Sequence, residues 1–194
     1  MARITKPVKE RRQEIIDTAR EMFFKNGFDK TQVADISKRM NVASGLVYHY
    51  FNSKADILYA VIDQIADECL QEARVLLNSS NGTTLERLKI IFNTPPVFES
   101  LNGRKVALTL DRAVVEYWKQ KMSASVMPLL TSLVEEGNAD GSWNCEYPKE
   151  TAVFILQGLT GVSESFAALP APDLDKIKDT FSDIIFRVLG VPSK

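Results

Sequence analysis

Hydrophobic positions recur at intervals of three and four along almost the whole chain, the period of helices and not of strands. In RRQEIIDTAREMFFKNG, residues 11–27, Ile15, Ile16, Ala19, Met22 and Phe23 share one face, and Asn26-Gly27 marks the stop. TQVADISKRM, residues 31–40, is a shorter helix with Val33 and Ile36 inward and Thr31 placed to cap it. NVAS interrupts the pattern. Asn41 is the residue other than glycine best suited to a left-handed turn there. SGLVYHYF, residues 44–51, is another short helix that packs through Val47 and either Tyr50 or Phe51. NSKAD restarts the chain, with Ser53 followed three residues later by Asp56 in a capping-box pattern.

The remainder is also helical. Ile57, Leu58, Val61, Ile62, Ile65, Cys69, Ala73, Leu76 and Leu77 form the stripe of a long helix that NSSNG ends. Residues 83–93 place Leu85, Leu88 and Phe92 on one face, and NTPPVFESLNG breaks regular structure with a double proline. Residues 104–136 are helical in one or two pieces, with Pro128 expected to kink or divide them. After the loop GNADGSW come two last helices. Residues 148–168 contain TAVFILQGLTGV, apolar nearly all round, so this helix must be covered on both sides. Residues 173–189 carry Leu174, Ile177, Phe181, Ile184, Ile185 and Val188 on one stripe. No segment alternates as a strand. The predicted fold is all-α with about nine helices, divided into a helix-turn-helix domain at 1–53 and a larger helical domain at 54–194.

Composition narrows the function. Of 194 residues, 45% are hydrophobic and 25% charged, as in an ordinary globular protein. No apolar run approaches the roughly 20 residues of a membrane span, and the basic N-terminus lacks the apolar core of a secretory signal, so the expected compartment is the cytoplasm. Two cysteines, Cys69 and Cys145, and one histidine are too few for a disulfide framework or a zinc site. No phosphate loop, glycine-rich nucleophile turn or metal-spaced carboxylate pair occurs, so neither a cofactor nor catalysis is expected. The net charge of −1 conceals an asymmetry: residues 1–54 hold 11 Lys and Arg against 6 Asp and Glu, and the rest holds 13 against 19. A basic head on an acidic body fits a polyanionic partner for the head.

The head also has suitable chemistry. A supporting helix, a short helix, a tight turn and a second short helix form the layout in which the last helix enters the DNA major groove. Gly45 allows close approach of backbone to backbone or phosphate. Tyr48 and His49 are neutral donors for phosphate oxygens, and Ser53-Lys54 opens a helix whose free N–H groups and ammonium attract phosphate, as Thr31 would at the second helix. Arg3, Lys6, Lys9, Arg11 and Arg12 form an arm able to reach phosphates or the minor groove.

GLVYHYFNSKADIL, preceded by TQVADISKRMNVAS, resembles the signature of TetR-family transcriptional regulators over about residues 10–65. The resemblance implies backbone contacts by Thr31, Tyr48, His49 and Lys54, with Ala43, Ser44, Leu46 and Tyr48 nearest the base edges and Phe51 in the core. Position 46 departs from the pattern, since the family often carries a hydroxyl or amide there. Leu46 makes only apolar contact, which leaves base readout to Ser44, Gln32, Tyr48 or DNA shape. For the body, the resemblance implies effector binding and dimerisation. Phe92, Phe98, Leu110, Trp118, Met122 and Phe154, with Gln157 as polar anchor, are the candidate lining for a small apolar or aromatic effector, though each also serves as core. Helices 148–168 and 173–189 are the candidate homodimer interface, with Gly158 and Gly161 permitting close helix approach. The expectation is a ligand-responsive regulator, a repressor released from a near-palindromic operator in double-stranded DNA. The alternative is a helical adaptor or scaffold whose basic head binds another polyanion.

Overall fold

A computed structural model describes residues 7–79, 82–93, 112–167 and 174–191. Among these residues every regular element is a helix, and there are eight: α1 Val8–Asn26, α2 Val33–Arg39, α3 Ser44–Tyr50, α4 Lys54–Ser79, α5 Thr84–Asn93, α6 Arg112–Ala139, α7 Pro148–Ala167 and α8 Leu174–Leu189. The double-proline segment lies outside the described residues. No helix among them is long and apolar enough to cross a membrane.

By its contacts the chain divides into two compact units, one of residues 1–68 with 97–119 and one of residues 69–96 with 120–194. The division falls inside α4 and α6.

In the first unit, Ile15, Ile16, Ala19 and Phe23 of α1 are buried, as are Val33 and Ile36 of α2 and Val47 of α3. Phe51 and the Ile57, Leu58, Val61, Ile62 and Ile65 stripe of α4 are buried as well. Each such aliphatic side chain contributes about 1.5–3 kcal/mol by leaving water. Polar contacts set the pairing of α1 with α4: Arg20 bonds Glu68 at 2.7 Å, and the Gln64 amide donates to both Glu68 and Asp17.

α1 begins at Val8, before the segment 11–27 that the hydrophobic pattern marks. Pro7 sits at its N-cap, where a missing N–H costs nothing, and its carbonyl accepts from the Arg11 amide. Lys9, Arg11 and Arg12 are therefore helical and not part of an arm. Arg11 pairs with Glu14, and the Arg12 guanidinium lies 4.9 Å from the Phe51 ring centre. Arg3 and Lys6 lie outside the described residues.

The second unit is built around Leu88, Leu130, Leu133, Val134, Trp143, Cys145, Ala152, Ile155, Ile185 and Leu189. The loop between α6 and α7 is stitched to this core. The Trp143 indole donates to Val134 O, and the Asn138 amide clasps both backbone groups of Cys145 at 2.7 Å. Gly137 lies directly under the Trp143 ring, where a Cβ would collide with it. Asp140 accepts from the Thr84 hydroxyl and from Ser142. Hydrogen bonds from the Ser142 hydroxyl, the Thr84 hydroxyl and the Ser142 amide hold its carboxyl down at about 2.

Two expectations are corrected here. α6 runs through Pro128 without a break. Ala124 and Pro128 are both exposed, so the carbonyl that loses its helical donor stays within reach of water, while Leu130, Leu133 and Val134 hold the turn beyond. The single stripe expected on α8 also splits. Ile185 and Leu189 are buried, whereas Ile184 and Val188 are 49% and 38% exposed. α7 behaves likewise, with Ala152 and Ile155 inward and Val153, Phe154, Gln157, Gly158 and Gly161 along an exposed stripe.

Candidate nucleic-acid interface

The reading head is α2, a four-residue turn and α3. Gln32, in extended conformation, is the N-cap of α2, and its side chain and that of Asp35 form a reciprocal capping box. Thr31 does not cap, which corrects the expectation. It is 1% exposed, and its hydroxyl donates to Gly27 O at 2.9 Å, with Met22 O at 3.4 Å. Its one proton ties the α1–α2 loop together.

α2 ends as the sequence predicts. Asn41 has φ 55°, the left-handed region. The amide of Asn41 bonds Lys38 O and that of Val42 bonds Ser37 O, which closes the two carbonyls of a Schellman turn. A contact missed by the sequence reading then fixes α3 on α2: the Ser44 and Ser37 hydroxyl oxygens lie 2.8 Å apart. The only available signal was position, since Ser37 stands four residues after Val33 on the buried face of α2.

α3 anchors itself through Val47, its one fully buried side chain, and through Phe51, which follows it and is also buried. Ala43, Gly45, Tyr48 and His49 are consequently exposed together, Tyr48 at 55%, with Ser44, Leu46 and Tyr50 half-buried beside them. His49 meets the Tyr50 ring edge-on at 5.2 Å. A Cβ at Gly45 would meet nothing within 4 Å. Among the described residues, nothing packs against the space a side chain would take there.

Beyond α3, Ser53 caps α4 as expected. Its Oγ accepts from the Asp56 amide at 3.0 Å, and the Asp56 carboxylate accepts from the Ser53 hydroxyl and the Asn52 amide. Lys54 is half-buried and already engaged. Its ammonium donates to Phe28 O at 2.9 Å and lies 4.2 Å from the Phe28 ring centre. Two of its three protons are left over. The role of Phe28 had no sequence signature, because it stands in a loop outside any helical period.

The side chains of four of the seven candidate effector-lining residues are described. Trp118 is buried and Met122 half-buried, both on α6, whereas Phe154 is 62% exposed and Gln157 is exposed on α7. Phe154 and Gln157 thus face away from the core of their own unit. Phe98, Leu110 and the side chain of Phe92 lie outside the described residues.

Residues 15–61 match the family model described as bacterial regulatory proteins, tetR family. The chain is 38% identical over 208 residues to the HTH-type transcriptional regulator TtgR of Pseudomonas putida, with 95% of this chain and 96% of that protein covered. It is 37% identical to the HTH-type transcriptional regulator HbdR of an Aromatoleum species, but over only 67 residues, 34% of this chain and 29% of that protein. Among solved structures, that of the reduced form of E. coli NemR shares the fold at a TM-score of 0.67 and 17% identity, over 95% of this chain and all (100%) of that one. A buried α1, a short α2, a Schellman turn and an exposed α3 are thus found in a chain that matches such regulators along nearly its whole length, and the protein belongs to the TetR family of DNA-binding transcriptional regulators.

Proposed function

We propose that this regulator represses transcription by placing α3 in the major groove of a near-palindromic operator, as a homodimer, and lets go when a small apolar or aromatic effector binds its helical body. The observation that carries the DNA-reading part is the unspent face of α3. Gly45, Tyr48 and His49 are exposed, and no contact within the chain accounts for glycine at 45. On DNA, Gly45 lets the backbone come close, Tyr48 and His49 donate to phosphates, and Ala43, Ser44, Leu46 and the exposed Gln32 lie toward base edges. Lys54 uses its remaining protons on a phosphate while Phe28 holds its stem in place.

The homodimer reading is supported by the exposed stripe of α7 and α8. Val153, Phe154, Ile184 and Val188 are large apolar side chains left in water by the single chain, and Gly158 and Gly161 have nothing within 4 Å, which leaves room for a second backbone. A two-fold pairing of these helices gives a four-helix interface. It sets two α3 helices roughly 34–36 Å apart, one turn of DNA. Phe154 and Gln157 belong to this interface in the proposal, and Trp118 and Met122 remain for the effector. α4 begins at Lys54 and continues through both units, so an effector that favours a different setting of α4 changes DNA affinity by its differential binding. A regulator of this kind works in the cytoplasm, where its operator is.

Selection of bound fragments from a random duplex pool tests the reading. The expected product is a near-palindrome with half-sites one turn apart. On that site Lys54→Ala weakens all sequences alike and lowers the salt slope by about 1. An unselected pool, or a slope indifferent to Lys54, contradicts it.

A further inference from the structure

The hydroxyl at the head of α3 is committed within the protein. Ser44 Oγ lies 2.8 Å from Ser37 Oγ, and Ser37 Oγ lies 2.9 Å from Ala34 O. Each hydroxyl has a single proton. Were Ser37 to give its proton to Ser44, Ser37 Oγ and Ala34 O would face each other at 2.9 Å as two lone-pair oxygens with nothing between them. One arrangement alone puts a proton into both contacts: Ser44 donates to Ser37, and Ser37 donates to Ala34. Ser37 is 2% exposed, so water offers it no substitute, and leaving such a buried bond unmade costs about 1–3 kcal/mol.

We infer that Ser44 reads bases with one polarity. Its proton points back to Ser37, and what it offers outward is lone pairs. An ordinary serine donates to a keto oxygen or accepts from an amino group and so distinguishes little. Ser44 accepts only. On the major-groove edge the acceptor-seeking groups are N6 of adenine and N4 of cytosine, whereas O6 of guanine and O4 of thymine meet a lone pair with a lone pair. The half-site therefore contains one position at which adenine and cytosine are interchangeable and guanine and thymine are rejected. Leu46 has no hydrogen bond to offer beside Ser44 and cannot mask this preference. Ser37 touches no base in this arrangement. It is a positioning residue that sets the polarity of Ser44.

The inference rests on the proposed seating of α3 in the major groove, and the test separates the two. Full-length protein, Ser44→Ala and Ser37→Ala are each put through selection from a random duplex pool, followed by affinity measurements on single-base variants of the selected site. The parent protein should prefer A and C over G and T at one half-site position by about fivefold or more, the worth of one hydrogen bond. Ser44→Ala should flatten that position and no other. Ser37→Ala should return the proton to Ser44, so that the G and T variants rise to within about twofold of A and C. Because a preference is a ratio of affinities, partial unfolding of a variant lowers every value and leaves the ratio intact. The inference is overturned if the position altered by Ser44→Ala favours G or T, if no position changes, or if Ser37→Ala keeps the parent preference. A parent protein that selects no near-palindrome overturns the DNA reading itself, whereas a palindrome without an amino-selective position overturns only the role of Ser44.

Discussion

Among the described residues, the exposed face of α3 and the exposed stripe of α7 and α8 are both left uncovered, and their chemistry is opposite. α3 presents a glycine, a phenol and an imidazole, within a segment that carries the basic excess of the sequence. α7 and α8 present Val153, Phe154, Ile184 and Val188, within a segment that is acidic overall. Both carry glycines with empty space around them, Gly45 on one and Gly158 and Gly161 on the other. Gly137 is the contrast, since its lack of a side chain is filled by the Trp143 ring. A glycine packed against its own chain is explained by folding. A glycine in a helix with nothing near it costs about 0.5–1 kcal/mol relative to alanine, and no contact among the described residues offsets that cost. In the proposed function the partner of the polar face is a polyanion, and that of the apolar face is another apolar face.

This contrast orders the effects of substitution. The largest effect on the fold belongs to Gly137→Ala. Its methyl group has to displace Trp143, which breaks the indole bond to Val134 O, and the loss should reach about 3 kcal/mol in denaturant unfolding. Near-wild-type stability would remove the distinction drawn between packed and open glycines. Phe154→Glu should leave the protomer helical, because the side chain is already in water, yet on the proposed pairing of α7 and α8 it weakens self-association about a hundredfold or more by burying an unpaired charge. Sedimentation of an undiminished dimer would place the interface elsewhere.

The smallest effect is one of acidity. The Asp140 carboxyl titrates lower in the folded protein, at about 2 against its ordinary 3.8. Its contribution is therefore complete above the ordinary value and is lost as pH falls from there through about 2. Asp140→Asn should remove this part of the acid sensitivity between those limits while leaving stability near neutrality only slightly lower. Superimposable stability–pH curves for the two proteins would deny the bonds from Ser142 and Thr84 any such role.

The head was legible in the sequence to the level of single residues. Asn41 adopts the left-handed turn, Ser53 and Asp56 cap α4, and Val47 and Phe51 are buried, because turns and caps are decided by the residues that make them. What escaped was decided by neighbours distant in sequence. Thr31 looked like a cap, yet its hydroxyl is taken by the end of α1. Nothing in the sequence linked Lys54 to Phe28, whose carbonyl its ammonium meets. In the body, helical periodicity named the apolar residues of α7 and α8 but not their direction. A helix apolar over more than half its circumference has two edges, and the choice of Ile185 inward and Ile184 outward, or of Ile155 inward and Phe154 outward, depends on which other helices are already packed there. Phe154, a candidate for the effector lining, is exposed on the surface of its own unit. The clash between Gly137 and Trp143 lies six residues apart across a loop, a spacing that no periodic pattern marks.

The central claim is that the face of α3 is kept clear for DNA. Gly45→Leu tests it most directly, because nothing in the chain lies within 4 Å of a Cβ at that site and leucine favours helix. The account predicts that thermal stability is unchanged or rises by up to about 1 kcal/mol, while affinity for the selected operator falls by about a hundredfold or more as the side chain holds the backbone off the duplex. A folded Gly45→Leu protein that binds the operator as tightly as its parent would contradict the account.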